Sequence, residues 1–164
     1  MFQFLKKDTQ ADNKIYAPVN GMCLDIACVP DQMFSSRMLG DGVAFTYDGN
    51  TLYSPIQGTI KVVTPTKHAI GIKTKSGMEL LLHIGVNTVE LDGAGFDTLV
   101  SVNQTVKVGT PLIQIDREFM KQNQIDLITS MVITNSDNFI CDFHCVNQEV
   151  NQGKSEIAIY CERK

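Results

Sequence analysis

The chain has three histidines, His68, His83 and His144, and two of them sit where a local fold can bring their rings together. Thr66-Lys67-His68-Ala69-Ile70-Gly71-Ile72-Lys73 and Met78-Glu79-Leu80-Leu81-Leu82-His83-Ile84-Gly85 are apolar-rich runs separated by Thr74-Lys75-Ser76-Gly77. Such runs, broken by a short polar step containing Gly, read as a β-hairpin. A Lys75-Ser76 loop sets His68 directly opposite His83, with Cβ atoms about 4.5–5.5 Å apart on one face. A Ser76-Gly77 loop sets His68 against Gly85 and keeps His83 as a diagonal neighbour on the same side. A three-residue loop without a bulge puts the two rings on opposite faces.

Two neutral imidazoles side by side can divide a reaction between them. One ring nitrogen attacks, and the neighbouring ring donates a hydrogen bond to developing charge. Phosphoryl transfer suits this arrangement, because its transition state asks for positioning and charge stabilisation more than for covalent help. Thr66, two residues before His68, is placed to hydrogen-bond that ring and hold its tautomer. The same spacing also fits two partly buried strand histidines with no chemistry. A third reading is an open zinc site made by both rings and a carboxylate such as Glu79. The chain has no H-E-x-x-H element and no third ligand at a matching spacing. Cys141, His144 and Cys145 lack paired C-x-x-C elements, and the apolar alternation around them points to a strand. No metal and no cofactor are therefore expected.

The elements that must hold these residues are strands. From Ile15 onward, short apolar runs are broken by Gly, Pro, Asn and Asp with little helical periodicity, which argues for an all-β domain with a few short helices. Expected strands are 21–28, 42–47, 51–53, 58–63, 69–73, 78–84, 105–106, 111–115, 131–134 and 157–161. The clearest helix is 117–125, where Phe119, Met120 and Ile125 share a face. Ala17-Pro18-Val19-Asn20-Gly21 and Ser54-Pro55-Ile56-Gln57-Gly58 repeat one small-Pro-apolar-polar-Gly pattern at the ends of two strand runs. Duplication produces such an echo, and so does the same turn arising twice.

With 164 residues, 43% hydrophobic and 20% charged, the chain matches one globular domain. We expect a domain over 15–164 behind a flexible tail over 1–14, with Met1–Lys7 as a possible short amphipathic surface segment. No apolar stretch approaches the roughly 20 residues of a membrane helix. The formal net charge is −4. Lys and Arg are scattered along the sequence, which argues against nucleic acid and for partners with positive surfaces. Five cysteines and the lack of a leader-like start indicate reduced thiols and a cytoplasmic location. The Met1 start suggests a free-standing protein.

From about Ala17 to Tyr160 the sequence resembles enzyme IIA of the glucose family in the bacterial phosphoenolpyruvate-dependent sugar phosphotransferase system. The strongest pieces are Gly77-Met78-Glu79-Leu80-Leu81-Leu82-His83-Ile84-Gly85-Val86-Asn87-Thr88-Val89-Glu90-Leu91 and Gly93-Ala94-Gly95-Phe96. Val29-Pro30-Asp31 with Phe34, Gly40-Asp41-Gly42, Ser54-Pro55-Ile56-Gln57-Gly58, Thr66-Lys67-His68-Ala69 and Val106-Lys107-Val108-Gly109-Thr110-Pro111-Leu112 follow in the family's order. The resemblance implies a mostly antiparallel β-sandwich. It also implies a phosphohistidine carrier in which the small protein HPr phosphorylates His83 and the IIB domain of a sugar permease receives the group. By the same resemblance His68 stabilises the phosphohistidine and Thr66 orients His68. Met33, Phe34, Met38, Leu39, Leu81 and Val89 correspond to an apolar docking face, with Asp31 on its acidic rim. Contact with a membrane is implied only through the permease. Asn87 departs from the family, many of whose members carry Asp there, and leaves partner preference open. A regulatory binding module using the same docking face is the alternative function, and a zinc ion completed by a partner's carboxylate is a third.

Overall fold

Alternating burial along short runs is the pattern from which the fold is built. The computed structural model describes residues 13–164. Its strands are β1 (Lys14–Tyr16), β2 (Gly21–Asp25), β3 (Asp41–Tyr47), β4 (Thr51–Tyr53), β5 (Gly58–Val63), β6 (Ala69–Lys73), β7 (Glu79–Ile84), β8 (Phe96–Thr98), β9 (Thr105–Val106), β10 (Pro111–Ile115), β11 (Thr129–Ile133), β12 (Phe139–Phe143), β13 (Gln148–Val150) and β14 (Glu156–Glu162). The helices are α1 (Gln32–Ser35) and α2 (Arg117–Gln122), with 3-10 turns at Ile26–Cys28 and Thr88–Leu91. Among the described residues, an eight-stranded sheet runs β13-β2-β3-β11-β7-β6-β5-β9, and two three-stranded sheets run β1-β14-β12 and β4-β10-β8. The pairs are antiparallel. The all-β sandwich expected from the sequence is the architecture found.

The large sheet has two unlike faces because its strands alternate. Leu80, Leu82 and Ile84 of β7 enter the main core with Ile70, Ile72, Met131 and Ile133, packed with Ile15, Leu52, Leu112 and Ile157 from the smaller sheets. Burying each such side chain contributes about 1.5–3 kcal/mol. Leu81 faces the other way, into a second cluster of Ile26, Val29, Phe34, Ala44, Ile128 and Val132. His83 lies two residues from Leu81 and shares that outer face.

Several expected elements end early because a side chain intervenes. The strand expected over 21–28 stops at Asp25, whose carboxylate accepts from the Ala27 N–H at 2.8 Å and turns the chain into a 3-10 turn. The helix expected over 117–125 ends at Gln122; Asn123 Nδ2 donates to the Phe119 carbonyl at 2.8 Å, and Gln124 takes φ 55°. Neither α1 nor the short strands β1, β8 and β13 figured among the expected elements. The Met1–Lys7 segment lies outside the described residues, as do residues 1–12 of the expected tail. Lys14, at the end of that expected tail, already belongs to β1 and pairs with Glu156 at 2.6 Å.

The repeated Pro-Gly motif has a structural counterpart. Tyr16 N–H donates to the Pro55 carbonyl at 2.9 Å, and Tyr53 N–H donates to the Pro18 carbonyl at 3.0 Å. Ala17 exchanges backbone bonds with Ser155 and Gly153 just as Ser54 does with Thr110 and Gly109. The two turns therefore cross one another with approximate two-fold symmetry.

Candidate active site

His83 occupies a place on the sheet cleared by small neighbours. Ala69 of β6 and Ser130 of β11 flank it across the ladder, and Ala44 of β3 lies beyond Ser130. Cross-strand partners share a face, so this row of small side chains leaves a depression beside the imidazole. Phe34 fills part of it. Its ring, only 3% exposed, lies 4.7 Å from the His83 ring centroid at an interplanar angle of 51°. Phe34 is delivered by α1, whose first turn is capped by the Asp31 carboxylate accepting from the Met33 N–H at 3.0 Å.

His68 also meets the His83 ring, at a centroid distance of 4.7 Å, edge-on at 83°. The route differs from either two-residue register. Ala69, not His68, stands opposite His83, and Lys73 stands opposite Glu79, so the loop between the Thr74 and Met78 positions holds three residues. In a regular strand that register would separate the rings. They meet because His68 precedes the strand, in a bend following Lys67, which takes the left-handed φ of 60°. The left-handed residue breaks the alternation that would have sent His68 to the far face.

Electrostatics favour neutral rings at both positions. Burial is the largest influence lowering the His68 pKa, and a backbone interaction at Thr66 partly opposes it. His83 is pushed down to about 4, first by burial and then by the nearby His68, with the Asp31 carboxylate and backbone groups of Gly85 and His83 opposing. Thr66 Oγ1 lies 2.7 Å from His68 Nδ1, a hydrogen bond that ties that ring to its tautomer. His83 Nδ1 is buried without a hydrogen bond among the described residues. A reagent arriving from solvent therefore meets Nε2.

Gly85, two residues after His83, has no room for a side chain. It has φ 80°, and a Cβ there would stand 2.5 Å from Thr88 Cγ2 and 2.9 Å from the Asp126 carbonyl. Just beyond, Asn87 also takes the left-handed region, at φ 56°, and leads into the turn Thr88–Leu91. Asn and Asp both tolerate that conformation better than other side chains, so the departure at Asn87 preserves the local fold.

The residues corresponding to a docking face divide into two groups. Phe34, Leu39 and Leu81 belong to the second cluster and are largely packed. Met33, Met38 and Val89 are 45%, 72% and 56% exposed. The row of Ala69, Ser130 and Ala44 was missed by sequence reasoning, since only the pairing of β11 with its neighbours reveals it. Of the cysteine-histidine group, His144 is exposed and Cys145 Sγ donates to the Glu156 carbonyl at 2.8 Å. Among the described residues, no group of three or more His, Cys, Asp or Glu is gathered to hold a metal ion.

Comparison with known proteins places the chain in a family. Residues 13–139 match the family described as phosphoenolpyruvate-dependent sugar phosphotransferase system, EIIA 1. The glucoside-specific EIICBA component of Staphylococcus carnosus is 44% identical over 122 residues, covering 74% of this chain and 18% of that protein. The glucose-specific EIICBA component of the same organism is 41% identical over 145 residues, covering 88% of this chain and 21% of its own length. The chain thus spans about a fifth of these curated relatives. The glucose permease IIA from Mycoplasma capricolum superposes with a TM-score of 0.82 at 37% identity, covering 89% of this chain and 94% of that structure. With one domain matched nearly end to end in fold and over most of its sequence, this chain belongs to the glucose-family EIIA proteins of the phosphoenolpyruvate-dependent sugar phosphotransferase system.

Proposed function

We propose that the chain is a phosphohistidine carrier, taking a phosphoryl group onto His83 Nε2 from phospho-HPr and passing it to the IIB domain of a glucose-family sugar permease. The observation that carries this reading is the His83 ring itself, in contact with both Phe34 and His68 and with Nδ1 buried. A lone pair on Nε2 requires a neutral ring with its proton on Nδ1, and the lowered pKa keeps the ring neutral at pH 7. The donor's P–N bond breaks as the Nε2–P bond forms.

His68 acts beside it. When the Thr66 O–H donates in its 2.7 Å contact with Nδ1, the proton of neutral His68 sits on Nε2 and serves as a donor to phosphoryl oxygens. Met33, Met38 and Val89 form the exposed apolar part of the partner surface around the rings, Phe34, Leu39 and Leu81 support it, and Asp31 and Asn87 lie at its rim.

The test is incubation with phosphoenolpyruvate, enzyme I and HPr, followed by assay of acid-labile phosphate. Wild type and His68→Ala should be labelled, and His83→Ala should not. Label persisting on His83→Ala overturns the assignment of the nucleophile. His68→Ala should transfer the group to a IIB domain at least about 100-fold more slowly, the scale at which a single placed donor acts. Unchanged onward transfer removes His68 from the mechanism.

A further inference from the structure

The approximate two-fold symmetry makes one groove twice, and the two copies differ in charge. One, of about 700 Å³, is lined by Tyr16, Gln57, Gly58 and Thr59. Its counterpart, of about 710 Å³, is lined by Tyr53, Asn20, Gly21 and Met22 at the matching places of the repeated motif. Into the first project Lys14, Lys61, Lys73 and Lys75, with no Asp or Glu among the described lining residues. The second holds Asp48 and Glu149 and no Lys or Arg among its described lining residues. The places of Lys14, Lys73 and Lys75 are taken in the counterpart by Thr51, Thr46 and Asp48. The fold therefore dictates the groove's shape and leaves its charge free.

We propose that the lysine-lined groove binds a small phosphate-bearing polyhydroxy compound of the sugar-phosphate class. In a chain of net charge −4, four of the 14 Lys and Arg residues converge here. The scatter of basic residues along the sequence hid this convergence in three dimensions. Lys14 shares its charge with Glu156 at 2.6 Å and Lys73 with Glu79 at 3.8 Å. Lys61 and Lys75 have no ion pair among the described residues, so positive charge remains for a phosphate. Gln57, Thr59, Ser76 and Thr105 add neutral donors and acceptors suited to hydroxyl groups. A membrane or an extended polyanion asks for charge on a convex or continuous surface, whereas these lysines surround a hollow. The groove opens at the turn end of the β6–β7 hairpin, roughly 15 Å along the strands from the histidine pair. It is accordingly independent of the phosphohistidine reading, and stands or falls without it.

The test uses the full chain, labelled with 15N, titrated with glucose 6-phosphate, inorganic phosphate and glucose while backbone amide signals are followed. Glucose 6-phosphate should shift Gly58, Thr59, Lys73 and Ser76 saturably, leaving Gly21, Met22 and Tyr47 of the counterpart groove in place. Inorganic phosphate should act on the same amides at higher concentration, and glucose should not act. Lys61→Met with Lys75→Met should weaken glucose 6-phosphate binding about tenfold or more, whereas Lys107→Met should leave it unchanged. Shifts in both grooves, equal midpoints for the two anions, or unaltered binding by the double variant would each overturn the proposal. So would binding confined to co-sedimentation with vesicles of anionic phospholipid, which would assign the lysines to a lipid surface.

Discussion

At His83, a neutral ring is maintained by burial, and this has a measurable cost in acid. The folded-state pKa of about 4 lies below the free imidazole value of 6.5. Between those values the unfolded chain binds a proton that the folded chain refuses, so stability should fall as pH is lowered from about 6.5 to about 4. The loss attributable to His83 is on the order of 3 kcal/mol, and His83→Gln should flatten that part of a pH–stability profile from chemical denaturation. An NMR titration should place the His83 midpoint well below the ordinary imidazole value of 6.5. Thr66→Val removes the hydroxyl 2.7 Å from His68 Nδ1. We expect a loss of about 1 kcal/mol in stability and a mixed tautomer signature in the 15N shifts of His68, with phosphoryl acceptance by His83 retained. These residues were legible in the sequence because they are polar exceptions in apolar runs. Ser130 and Ala69 were not, since smallness beside a functional ring has no signature until the strands are paired.

At the scale of elements, the hairpin gives the clearest lesson. Its strands were readable from apolar runs, and 69–73 was placed to the residue. Its register was not, because Thr74-Lys75-Ser76-Gly77 supports several loop lengths, and none of the loop rules addresses the residue before the strand. Lys67 decides the outcome there. At φ 60° a β-branched side chain is strained, so Lys67→Val should destabilise the protein by about 1–2 kcal/mol. It should also swing His68 from its edge-on contact and slow onward phosphoryl transfer. Lys67→Gly keeps both the fold and transfer close to wild type, which separates conformation from the lysine's charge. The short helix α1 was missed in sequence because four residues carry too little periodicity to register. Its value lies in one side chain. Phe34→Ala should cost about 3–5 kcal/mol in thermal or chemical denaturation, since the ring is buried between His83 and the second cluster.

Across the molecule, the Asp31 carboxylate acts on the His83 ring, and under the proposed function charge should govern how partners arrive. Asp31 serves two purposes there, as the carboxylate that raises the His83 pKa and as the cap that starts α1. Asn can replace it as a cap, because its side-chain carbonyl still accepts from the Met33 N–H, but it removes the charge. Asp31→Asn should therefore keep the thermal midpoint near wild type, with a change of about 0.5 kcal/mol or less. Stopped-flow phosphoryl transfer from a basic partner should slow at low ionic strength, and its dependence on salt should weaken. The His83 titration should move further down, since a group that favoured the imidazolium has gone. A rate that tracks wild type at every salt concentration would exclude Asp31 from steering and leave it a structural cap. A large loss of stability would instead show that Asn cannot maintain α1, and Phe34 would then lose its seat against His83.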